Sequence, residues 1–238
     1  MRTVSLVRQG LVATAFCLLA VCGYAQERPD FSGTWMPDRG NPASRGFPRS
    51  GWAYTDYGKQ LQDAYTAEFD PIRDESSFFC VQPGMPESMA QFAPFPMEVI
   101  QREQDITIFF EAWSQYRKIW MEDHPHPEPV LNSRMGYSVG HWEGDTLVVE
   151  GSYLSERLMG RTLMSDQATF TERLSVRNGD DGLRRLYSEL VFTDPVIYTE
   201  PVQVTGVWVE SPDTPILEYI CSETLYEEHL QRVRDSRN

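Results

Sequence analysis

The side chains best suited to moving protons in this sequence are His126 and the carboxylates Glu98 and Glu172. Glu98, Glu111, Arg117, Glu172 and Arg173 lie in segments with β-strand alternation, where every second residue faces a core or a barrel interior. Charges that share one cavity shift each other's pKa values, and a neutral imidazole beside a carboxylate can then take or give a proton near neutral pH. His126, Glu98 and Glu172 are therefore the candidate catalytic set. Glu111, Arg117, Tyr137, Trp142, Arg173 and Tyr198 are the candidate ligand-binding residues, and six tryptophans and eleven tyrosines are available to wall a pocket. The competing reading places the strand charges on a solvated face, or pairs them across strands as Glu172 with Arg185.

Other chemistries have less behind them. His124 and His126, followed by Glu128, offer ligands of the kind zinc takes if His141 or Glu143 comes near. Prolines 125 and 127 keep a simple strand from presenting both rings to one ion, so neither a metal nor a cofactor is expected. Gly136-Tyr-Ser-Val-Gly140 has the letters of a nucleophile elbow, but a hairpin follows it where a helix is required. No phosphate loop, dinucleotide fingerprint or zinc-protease helix is present. Two classes remain: a barrel that binds a small organic molecule in its interior or mouth, and a cofactor-independent isomerase, lyase or hydrolase using His126 with a carboxylate.

Residues 1–25 read as a signal peptide, with basic Arg2 and Arg8, an apolar run from Leu11 to Val21, and small residues at Gly23 and Ala25. The run is shorter than the roughly 20 apolar residues that span a bilayer, so stable membrane insertion is not expected. Cys22 leaves a lipid anchor as the alternative to periplasmic or secreted export. Residues 26–238 then form a single domain. The whole chain carries a net charge of −14, and the leader's two arginines make the remainder more acidic still. Such a surface repels phosphate backbones and argues against nucleic acid as a partner. Cys80 and Cys221 are the two cysteines beyond the leader, and in an oxidising compartment they are expected to pair; a reactive or metal-bound thiolate is the alternative.

The elements that must position these residues are mostly strands. Glu143-Gly144-Asp145 supplies turn residues ahead of the β-branched run Thr146 to Val149, and Asn178 to Gly182 joins a second hairpin. Phe31 to Trp35, Met97 to Gln101, Ile106 to Trp113, Tyr116 to Met121, Val202 to Glu210 and Ile216 to Ile220 complete the strand pattern. A helix is expected after Thr55-Asp56, with Tyr57, Leu61, Ala64, Tyr65 and Phe69 on one stripe, and another from Ser222 to Asp235. The expected fold is mainly β, a single antiparallel β-barrel or strongly curved sheet with a short helix near each end; a sandwich is the alternative. Gly-x-Trp recurs at Gly33, Gly140 and Gly206, so Trp35, Trp142 and Trp208 are expected to be buried.

Asp30 to Trp35, Cys80 to Pro86, Pro96-Met-Glu98, His126-Pro127, Gly140-x-Trp-Glu-Gly-Asp-Thr-Leu-Val-Val149, Glu172-Arg173, Asp194-Pro195, Tyr198, Pro201 and Glu218-Tyr-x-Cys221 together resemble a large group of exported bacterial proteins with no established reaction. The resemblance spans nearly all of the chain after the leader. It departs where relatives read Asp-Gly-Arg-x-His-Pro, since only His126 and Pro127 match, and at Tyr137 and His141, where relatives carry His and Arg. The first Gly-x-Trp also resembles the opening of lipocalin-like barrels.

Overall fold

The computed structural model describes residues 28–48, 50–90, 94–129, 131–222 and 224–237. The leader and the cleavage site before Gln26 lie outside the described residues. Nine strands close into a barrel in chain order: β1 (Gly33–Pro37), β2 (Met97–Gln101), β3 (Asp105–Phe110), β4 (Gln115–Met121), β5 (Tyr137–Glu143), β6 (Thr146–Ser152), β7 (Thr169–Asn178), β8 (Arg184–Thr193) and β9 (Val202–Glu210). The ring closes where β1 meets β9, Trp35 opposite Glu210 and Pro37 opposite Trp208.

A closed ring in which every neighbour is antiparallel must have an even number of strands. Nine strands therefore force at least one parallel contact. It falls between β4 and β5, and only Ile119, Trp120 and Met121 take part, opposite Ser138, Val139 and Gly140. All the other neighbours pair antiparallel, as expected for the barrel. The chain makes the contact possible by returning along the proline-punctuated segment after Met121, so that β5 starts at the same end of the barrel as β4.

Alternation fills the barrel. Along β4 the buried residues are Gln115, Arg117, Ile119 and Met121, while Tyr116, Lys118 and Trp120 face out. Trp35, Met97, Val99, Ile106, Ile108, Phe110, Leu147, Val149, Phe170, Leu174, Leu186, Leu190 and Phe192 complete the interior as one apolar cluster. Met85 and Met89, from the proline-rich segment after Cys80, join this cluster. Gly206 explains how: a Cβ there would sit 2.1 Å from the Met89 carbonyl oxygen, so the Gly-x-Trp glycine of β9 makes room for this plug rather than for strand coiling. Trp35 and Trp208 are buried as expected, whereas Trp142 is half-buried, packed against Phe31.

Two helices sit outside the barrel. In α1 (Asp56–Glu68) the Thr55 side chain caps the Gly58 amide, and Tyr65 and the following Phe69 are buried against Leu230 of α2 (Thr224–Asp235). Tyr57 and Ala64, placed on the same stripe by spacing, are exposed. Two strand expectations are corrected. β3 ends at Phe110, because a 3₁₀ turn at Ala112–Ser114 puts Trp113 at φ 57°. Ile216 to Ile220 has no strand partner, and runs as a strap whose Leu217 amide donates to Glu111 Oε2 at 2.7 Å. The strap ends at the Cys80–Cys221 disulfide, which ties it to the plug across 141 residues of chain.

Candidate functional site

The sequence-derived catalytic set does not converge. Glu172 is inside the barrel on β7. Glu98 lies on β2, across the ring, with its side chain on the outer phase because Met97 and Val99 on either side face the core. His126 is on the loop between β4 and β5, where its Nδ1 lies 2.5 Å from the Tyr137 hydroxyl.

The barrel centre holds a polar cluster. Arg117, 1 % exposed, reaches Glu172, which is fully buried, through Nη1 and Oε2 at 2.5 Å. Ser188 Oγ donates to the other Glu172 oxygen at 2.5 Å, and Arg117 Nε donates to Ser138 Oγ at 3.3 Å. The guanidinium carbon stands 5.2 Å from the centroid of Phe170. A buried ion pair tolerates its desolvation only when its remaining valences are met, and this one has hydroxyl partners on both sides. Arg117 Nη2 alone has no protein partner among the described residues.

The remaining candidates are dispersed over the barrel. Glu111 is buried and holds the strap. Tyr198 is buried at the plugged end, donates to the Leu163 carbonyl at 2.9 Å and stacks on Trp52 and Tyr54. Arg173 is on the outer face, paired with Glu143 at 2.8 Å. Trp142 packs 5.3 Å from Phe31, with Arg28 over its ring at 6.0 Å, and walls a shallow polar bowl with Met121, Glu122 and His141. Among the described residues no three His, Cys, Asp or Glu side chains are grouped as metal ligands would be; His141 lies between Glu122 at 3.7 Å and Glu143 at 3.6 Å.

One concave surface does gather candidate chemistry, and it arises from the parallel seam. Gln115 to Lys118 pair with β3 but have no partner on the β5 side, so below the three paired residues the wall opens. The approach to β5 bends inward instead, where the Arg134 carbonyl accepts from the Met85 amide of the plug at 2.8 Å. The resulting half-open groove has a volume of about 370 Å³ between Tyr116, Lys118 and Trp120 on one side and Ser133 to Tyr137 on the other, with Gln82 and Gln115 also in its lining. Tyr137 connects the groove to His126.

Hydrogen-bond counting constrains the neutral form of that pair. The Tyr137 hydroxyl also lies 2.6 Å from the Pro127 carbonyl, which can only accept. The phenol has one proton, and if it goes to Pro127 then His126 must carry a proton on Nδ1, leaving Nε2 as the acceptor. Burial, and secondarily the charge of Glu128, hold the Tyr137 phenol above its ordinary pKa, so it stays protonated at neutral pH.

A second set of buried charges carries no period that a sequence reading could use. Glu75 and Glu87 are both buried, and Arg157 Nη1 lies 2.7 Å from Glu87 Oε2. Burial, then the Glu87 charge, push the Glu75 carboxyl above its ordinary range. Ser77 Oγ and Arg157 Nη2, both in this neighbourhood, lack hydrogen-bond partners among the described residues. Glu75 and Glu87 come from irregular chain, so neither alternation nor helical spacing marks them.

Compared with family models and with curated proteins, the sequence matches none.

Proposed function

We propose that the protein is an exported barrel that binds a small organic molecule at the wall groove beside the parallel seam, not in the barrel interior. The single observation carrying this is the opening of the wall next to Gln115 to Lys118, which places three aromatic side chains, Tyr116, Trp120 and Tyr137, around one concavity while the interior is packed with side chains. Pockets that hold small molecules combine apolar walls with a few convergent polar groups, and the polar residues of this lining are Gln82, Ser114, Gln115 and Ser133. The disulfide supports export, since such bonds persist in oxidising compartments. Mass spectrometry of exported material is expected to find a mature chain starting at Gln26; a lipidated Cys22 would replace free export by anchoring.

The experiment for binding is a thermal-shift screen of small molecules against the wild type and Trp120→Ala. Compounds that raise the melting temperature of the wild type and not of the variant are expected. Equal shifts in both would move the site away from the groove.

The second reading is a cofactor-independent acid/base enzyme in which His126 acts with Tyr137 in place of a carboxylate. The hydrogen-bonded Nδ1 favours it, because that contact orients the ring and leaves Nε2 to take a proton. Under this reading His126→Ala abolishes turnover and leaves the melting temperature nearly unchanged, while a pure binding site loses only affinity.

A further inference from the structure

We propose that the groove takes a neutral oligosaccharide of at least three sugar units, an assignment that rests on the small-molecule reading of the same groove. Three observations specify the ligand class.

The first is the pattern of rings. On β4 the outward positions are Tyr116, Lys118 and Trp120, so the two aromatic residues share a face four positions apart. At about 3.3 Å per strand residue they stand roughly 13 Å apart, well beyond the width of one pyranose ring. Tyr116 is 66 % exposed, a large aromatic surface left facing water beside a concavity. A pyranose offers an apolar C–H face to such a ring and hydroxyls around its rim. Two rings at this spacing therefore match two separate sugars along a chain.

The second is charge. Lys118 and Arg134 are the charged residues of the lining, and both are engaged. The Lys118 ammonium turns to Asp105 at 2.8 Å and Thr107 at 2.9 Å on the neighbouring strand, and Arg134 donates to the Gln82 carbonyl at 2.8 Å. Among the described residues no Asp or Glu lines the groove. On a chain of net charge −14 this makes a lining whose cations are already satisfied and which adds no carboxylate of its own, which suits an uncharged ligand.

The third is openness. An apolar ligand gains from enclosure, which buries most of its surface. This groove is half-open, and beside the rings its lining includes Gln82, Ser114, Gln115 and Ser133, polar side chains that each also make a hydrogen bond within the protein. A ligand here keeps one side in water, so its exposed side must be hydrophilic while its inner side stacks. Oligosaccharides have that two-sided character at every unit.

Isothermal titration of the full mature chain with maltotetraose, cellotetraose, mannotetraose and chitotetraose, and with the matching monosaccharides, tests the proposal. At least one tetramer is expected to bind tenfold or more tightly than its monomer, with a change in tryptophan emission. Trp120→Ala should weaken that tetramer at least tenfold, and Tyr116→Ala should weaken the tetramer while leaving the disaccharide within about twofold. Both side chains face outward, and melting curves of each variant check that the barrel is intact. Binding of 8-anilinonaphthalene-1-sulfonate separates the two layers of the argument. If the dye binds in a Trp120-dependent way and no tetramer does, the oligosaccharide assignment is overturned and the groove remains a small-molecule site. If neither the dye nor any sugar responds to Trp120→Ala, both readings fail.

Discussion

Arg117 and Glu172 meet at the centre of the barrel, Nη1 to Oε2 at 2.5 Å, although 55 residues separate them in the chain and both are excluded from solvent. Ser138 and Ser188 complete the cluster from β5 and β8. Four strands thus meet through side chains at one level of the barrel, and the charges sit where a ligand cavity would have to be.

Removing one partner leaves the other charged, buried and unmatched. Glu172→Gln is expected to destabilise the fold by about 3–5 kcal/mol, read as a shift of the urea midpoint without a change in slope. The double variant Arg117→Met with Glu172→Leu should lose less than the sum of the single changes, because no lone charge remains. A strictly additive cycle would show that the pair is not coupled.

Glu75 gives the fold a pH dependence of definite sign. Its carboxyl is held above its unfolded pKa, chiefly by burial and then by Glu87, so the folded state binds the proton more tightly. The stability this provides is fully present below the unfolded pKa and is lost as pH rises through the folded one. Glu75→Gln should therefore flatten the stability profile across that window and raise the melting temperature on its alkaline side. An unchanged slope between acid and neutral pH would contradict the assignment.

Alkaline titration followed by phenolate absorbance should separate two classes of tyrosine. Burial pushes Tyr54 up to about 12, and Tyr65, Tyr137, Tyr198 and Tyr226 are all raised, with burial the largest cause in each. These five are expected to ionise after the rest. Tyr137→Phe should remove one late-titrating group; loss of an early one would place Tyr137 in a more polar setting than the structure does.

Reduction of Cys80–Cys221 frees a loop of 141 residues, for which the chain-entropy estimate is about 5 kcal/mol. The native, unreduced protein should show no alkylatable thiol at either position. After reduction the largest rise in hydrogen exchange is expected in the strap at 215–220 and in the plug, because the bond joins these two segments.

Much of the barrel was legible in the sequence because two-residue periods and turn residues are local. Val202–Glu210 and Met97–Gln101 are strands with the expected bounds, and Gly144-Asp145 turns with Gly144 at φ 59°. The phases of Glu98 and Glu172 were also readable: Met97 and Val99 send Glu98 outward, while Phe170 and Leu174 send Glu172 inward. The parallel seam was not, since it follows from the strand count of a closed ring and not from any local pattern. Nor was the His126–Tyr137 contact, which depends on how a proline-rich loop folds back.

The order of the strands bears on how the protein can assemble. β2 to β4 and β5 to β9 are two meanders of consecutive hairpins, and each can form as its residues become available. β1 joins them by pairing with β9, so the strand that leaves the ribosome first closes the ring with the strand that leaves last. A partly synthesised chain therefore keeps an open sheet edge, and the cylinder is completed only once β9 is available to pair with β1.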